Sequence, residues 1–134
     1  MSTDSAENIS TVISGSYRKH LAEIYALKAF LECNGITVLS PTGTMAVNPG
    51  EEFILLDADP IHDHRLLQDS VFAKIRRSAF LIVMNKGGYL GRAALIEFGY
   101  AVAMGIEILT VEKVEDPNLA PYTRLLAEVF PLCT

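Results

Sequence analysis

The sequence predicts an α/β sandwich of the flavodoxin-like kind, three layers deep around a parallel sheet of four or five strands. Three observations carry this. Apolar β-type runs and amphipathic stretches follow one another as strand, helix, strand, helix, strand, helix, strand, helix, the order that parallel strands with right-handed crossovers produce. Residues 79–84 (AFLIVM) are apolar without a break, as a central strand covered by helices on both faces should be. The 134 residues are 50% hydrophobic and 20% charged, an ordinary composition for one compact domain, whose core needs no metal or disulfide staple at that length. That domain is expected over 9–134, behind a polar, acidic tail at 1–8.

The elements follow in order. Ile9 to Ser14 is short, apolar and β-branched and ends in Ser14-Gly15-Ser16, a strand feeding a tight turn. From Arg18 to Cys33 the positions Leu21, Ile24, Tyr25, Lys28 and Leu31 keep helical spacing, with the aliphatic stem of Lys28 continuing the stripe; Asn34-Gly35 stops the helix. Ile36 to Leu39 is a second strand. Residues Pro41 to Pro60 form a long loop rich in Gly, Pro, Asn and acids, and such loops are more often functional than idle. His62 to Arg77 reads as a helix with Leu67, Val71 and Ile75 on one stripe and Lys74, Arg76 and Arg77 at its end, where cations suit the dipole. After the 79–84 strand, Asn85-Lys86-Gly87-Gly88 turns into a helix over Ala93 to Met104, Gly105 ends it, and Ile106 to Val111 is the fourth strand. A last helix is expected over Leu119 to Phe130, past the Asp116-Pro117 break.

Net charge is −5, from 11 basic and 16 acidic residues, and the basic ones are scattered apart from the pair Arg76 and Arg77. A nucleic-acid polymer needs positive charge gathered on one face, so any nucleic-acid-related partner is expected to be a monomer. No window approaches the roughly 18 apolar residues of a membrane helix. Cys33 and Cys133 share no ligand or redox spacing, which suits reduced thiols in a cytoplasm. Asp57, Asp59, His62, Asp63 and His64 cluster without a zinc spacing; helix capping by Asp59 or Asp63 explains them better than a metal, and no cofactor is expected.

In open parallel sheets, ligands bind outside the carboxyl ends of the strands. Three turns leave toward that rim: Ser14-Gly15-Ser16, the start of the Pro41 loop, and Asn85 to Gly91. Within AALIEFGYAVAM (93–104), Glu97 is the single charge among apolar or small residues. A helix apolar all round is buried, so Glu97 should be poorly solvated, which calls for a hydrogen-bond network or a function. Side chains lean toward the helix N-terminus, which turns this carboxylate to the rim. The alternative is a structural Glu bonded to backbone or to a partner subunit. Gly15 between two hydroxyls lets the backbone approach an anion, with Arg18 adding charge, although Ser-Gly-Ser is equally an ordinary turn. Asp69 sits at the edge of its helix's apolar face. Tyr17, Tyr89 and Tyr100 suit either base stacking or packing.

Ile13-Ser14-Gly15-Ser16-Tyr17-Arg18, the Leu39-Ser40-Pro41 strand end, the strand running to Asn85, Gly88-Tyr89-Leu90-Gly91 and Ile96-Glu97-Phe98-Gly99-Tyr100-Ala101 together resemble the nucleoside 2-deoxyribosyltransferase-like superfamily, which includes 2'-deoxynucleoside 5'-monophosphate N-glycosidases. The resemblance spans Thr11 to Val111 and is sharpest at Glu-Phe-Gly-Tyr-Ala. It implies an enzyme that cleaves or exchanges the N-glycosidic bond of a nucleoside or its 5'-monophosphate, with Glu97 as nucleophile through a covalent glycosyl intermediate. It further implies that Ser14, Gly15, Ser16 and Arg18 hold sugar or phosphate, that Tyr17 or Tyr89 flanks the base, and that Pro41, Asn85, Gly88, Gly91 and Arg92 line the pocket. The family's middle-helix Asp falls in this chain on apolar residues, so the acid role passes to Asp69, the nearest carboxylate, or to a loop acid. The family's Asp six residues before the nucleophile is here Gly91, followed by Arg92, which suits an anionic substrate. A homodimer is expected, Gly99, Ala101 and Ala103 permitting close approach. A nucleotide-binding or sensing module without turnover is the rival reading, and a Glu97 that merely braces a dimer is the third.

Overall fold

A computed structural model describes residues 9–42 and 63–131. The tail at 1–8, most of the Pro41 to Pro60 loop with Asp57, Asp59 and His62, and Cys133 lie outside them.

Strands and helices alternate in the chain until the fourth strand, which is followed by a fifth without an intervening α-helix. Strand β1 (Ser10–Gly15) leads into α1 (Tyr17–Cys33), then β2 (Thr37–Ser40), α2 (His64–Arg76), β3 (Phe80–Met84), α3 (Arg92–Met104), β4 (Glu107–Thr110), β5 (Thr123–Leu125) and a single turn of helix, α4 (Leu126–Val129). All strands are parallel in the order β2-β1-β3-β4-β5, the five-stranded form of the flavodoxin-like sandwich. Every residue of β3 is buried, as its unbroken apolar run requires of the central strand. Alternate side chains feed two cores. Ile13, Ile82 and Leu109 meet Ile24 and Leu31 of α1 and Leu126 of α4 on one face; Val12, Leu81, Val83 and Ile108 meet Ile75 of α2 with Phe98 and Ala101 of α3 on the other.

Local chemistry sets the element ends. Ser16 caps α1 by accepting from the Lys19 N–H at 3.1 Å, and Asp63 caps α2 by accepting from the Leu66 N–H at 3.0 Å. Gly105, at φ +70°, ends α3 in the left-handed conformation that costs glycine least. Gly15 stands where β1 passes β3 so closely that a Cβ there would lie 3.0 Å from Met84 Cβ.

Two expectations are corrected. The stretch Leu119 to Phe130 is no single helix: a 3-10 turn at Ala120–Tyr122 precedes β5, and only Leu126–Val129 is α-helical. Pro121 withholds an amide donor from a helix there, while the open edge of β4 offers a ladder that Thr123 to Leu125 takes up in register with Ile108 to Thr110. Helix α3 is not buried all round. Ala94, Glu97, Phe98 and Ala101 face the core, but Leu95, Ile96 and Met104 are 42%, 54% and 48% exposed, so its outer face is apolar and open. No helix among the described residues is long and apolar enough to cross a membrane.

Candidate active site

The strand order reverses beside β1: the chain passes from β1 to β2 on one side and returns to β3 on the other. That reversal is a topological switch point, and it is at the carboxyl ends beside such a point that open parallel sheets receive ligands. Ser14, Gly15 and Ser16 leave β1 on this rim, Pro41 follows β2 through a cis Ser40–Pro41 peptide, and Asn85 to Gly91 link β3 to α3.

Glu97 lies one turn into α3 and is only 8% exposed. Ser14 shares the pleat face of Val12, so it points toward α3, and its Oγ donates to Glu97 Oε1 at 2.5 Å. Gln68 of α2 reaches across, its Nε2 donating to Oε2 at 2.8 Å. Each carboxylate oxygen therefore holds one neutral donor. Burial raises the Glu97 pKa above its ordinary value, and the Ser14 and Gln68 bonds offset only part of that rise. A carboxylate short of water and of countercharge keeps its basicity, and its unused lone pairs can attack an electrophile or take a proton.

The other rim residues are placed as follows. Asn85 is buried but engaged: its Nδ2 donates to the Glu112 carbonyl, and the Glu112 N–H donates to its Oδ1, both at 2.9 Å. Glu112 in turn accepts from the Gly87 N–H at 3.1 Å, and Gly88 turns at φ +80°. Tyr89 is 37% exposed; Lys19 Nζ sits 4.5 Å over its ring, His20 meets it edge-on at 6.3 Å, and a Cβ on Gly91 would touch the same ring at 3.6 Å. Arg18 and Arg92 are exposed on the first turns of α1 and α3, and Tyr17 packs half-buried against the core on the α1 side. Tyr100 stands apart as packing, stacked on Phe72 at 4.5 Å and accepting from Arg76 at 2.6 Å.

Asp69 is not gathered into this group. Its side chain is 54% exposed and pairs with Arg65 at 3.7 Å on the solvent side of α2. One residue of helix is a rotation of about 100°, and it is Gln68 that the rotation turns inward. Reading the sequence for acids passed over Gln68; the signal was its place on the stripe of Phe72 and Ile75, where a polar side chain needs a buried partner. Among the described residues no three His, Cys, Asp or Glu side chains come close enough to hold a metal ion.

Fold and site together define an open α/β sandwich with a buried carboxylate at its topological switch point. No protein-family model matches the chain, and no curated protein is significantly similar to it in sequence. Among solved structures, the fold is similar to that of the Clostridium botulinum CMP N-glycosidase BcmB, with a TM-score of 0.51 over 75% of this chain and 69% of that one, at 18% identity.

Proposed function

We propose that this protein breaks the N-glycosidic bond of a nucleoside or nucleoside 5'-monophosphate, with Glu97 as nucleophile. The observation that carries the reading is the buried Glu97 carboxylate, bonded to Ser14 beside the switch point. The resemblance of the Ser-Gly-Ser and Glu-Phe-Gly-Tyr-Ala segments supports it, as does a fold shared with an enzyme that acts on CMP. Glu97 attacks the anomeric carbon; the C1'–N bond breaks with its electron pair passing to the base, which takes up a proton from water. Water or a second base then displaces the Glu97 carboxylate and gives up its own proton to solvent, giving hydrolysis or exchange. The Ser14-Gly15-Ser16 turn and Arg18 bind sugar or phosphate at the start of α1, and Tyr89 offers its ring to the base. Asp69, paired with Arg65, is not assigned the proton.

The test is chromatographic detection of free base from ribo- and deoxyribonucleosides and their 5'-monophosphates, with and without an acceptor base, for wild type and Glu97→Ala. Release that vanishes in a folded Glu97→Ala establishes the reaction. The solvent-side placement of Asp69 favours a second reading, a nucleotide-binding module without turnover. It predicts measurable binding by wild type, no base released, and binding retained in Glu97→Ala.

A further inference from the structure

We propose that Gln68 is the positioning residue for Glu97: its amide, held on α2, fixes the plane of the carboxylate against Ser14. This deepens the reading of Glu97 as nucleophile and rests on it. A carboxylate on a helix turns about its side-chain torsions, and one donor leaves that rotation open. Two donors from different elements, Ser14 Oγ on Oε1 and Gln68 Nε2 on Oε2, close it and leave the same lone pairs free. Misplacement of a reacting group by about 1 Å costs on the order of 100-fold in rate. An amide is also a donor at every pH, so it never competes with Glu97 for a proton as an Asp or Glu in its place would.

Nothing charged substitutes for it among the described residues. On α2, Arg65 pairs with Asp69, Arg76 bonds Tyr100, Lys74 lies nearly two turns farther along, and His64 is exposed one turn before Gln68. Strands β1 and β3 carry no charge; Glu107 of β4 is bonded to Arg124; on α3, Arg92 is exposed.

The experiment follows the Glu97 carboxyl by carbon-13 NMR in wild type, Gln68→Met and Gln68→Glu, with the resonance assigned by its loss in Glu97→Gln. Loss of a hydrogen bond to a buried charge should raise the Glu97 midpoint by about one unit or more in Gln68→Met. Gln68→Glu places two carboxyls in one site and should hold the pair's last proton to still higher pH. On a substrate that the base-release assay identifies, the acid limb of kcat should move by the same interval in Gln68→Met, with kcat at neutral pH down about tenfold and KM within about twofold. A wild-type midpoint in folded Gln68→Met overturns the proposal; should that variant not fold, an unshifted pair in Gln68→Glu does so. A raised midpoint with no substrate cleaved by wild type sinks the glycosidic reading alone and leaves the hold of Gln68 on Glu97 standing.

Discussion

Glu97 is kept in a place that opposes its charge, and its titration should show in stability as well as in any reaction. Its pKa is raised in the folded protein, so the folded state binds the proton more tightly than the unfolded chain. Stability therefore falls as pH rises from the ordinary Glu range through the raised value, by about 1.4 kcal/mol for each unit of difference. Glu97→Gln cannot ionise and can still bond both Ser14 and Gln68. Its melting temperature should exceed that of wild type at neutral pH, and the gain should vanish below the ordinary Glu range; a gain that stayed constant with pH would rule out ionisation as the cause. If Glu97 is the nucleophile, the same sign places the acid limb of kcat/KM above the ordinary carboxylate range. Glu97 was legible in the sequence because it stood alone among apolar neighbours. Gln68 was legible only as a polar side chain on the stripe of Phe72 and Ile75, a signal that says a partner is needed without saying which.

At the scale of elements, periodicity located β1 to β4 and α1 to α3 to within a residue or two, because each combines an apolar pattern with a stop such as Asn34-Gly35 or Gly105. It failed after Pro117. There, whether Thr123 to Leu125 is helix or strand depends on the open edge of β4, a partner that no local window contains. The approach of β1 to β3 gives a prediction of its own. Gly15→Ala would set a Cβ 3.0 Å from Met84 Cβ and 3.1 Å from its carbonyl oxygen, with Ile24 at 3.3 Å. Backbone yields less readily than a side-chain tip, so the variant should lose about 1–3 kcal/mol in urea denaturation. A loss under about 0.5 kcal/mol would mean that the two strands part without cost.

The whole molecule divides into a rim, where the candidate site residues gather at the carboxyl ends of the strands, and flanks. Alternation of elements in the sequence was enough to predict this division, since the carboxyl ends of parallel strands all face one way. What alternation does not give is the exposure of the flanks. Ala101 is fully buried under the sheet and is withdrawn from any contact between chains, whereas Gly99 and Ala103 are open beside Leu95, Ile96 and Met104. If copies pair as the small residues suggested, they pair through this face. Light scattering behind size exclusion should then report a dimer for wild type and a monomer for Ile96→Glu. A wild type that is monomeric at high concentration would dispose of the pairing.

Asn85 carries a lesson about substitution tolerance. Its amide gives one bond to the Glu112 main chain and takes one from it, just past the last backbone rung between β3 and β4, so a side chain impersonates a peptide. Asp has the shape but two acceptors, Gln is a methylene too long, and Ser cannot span both groups. A mutational scan scored by abundance should therefore find position 85 among the least permissive on the rim, with Asn85→Asp already depleted. Such intolerance would look like ligand recognition, yet its origin is the sheet's own grammar extended by one residue.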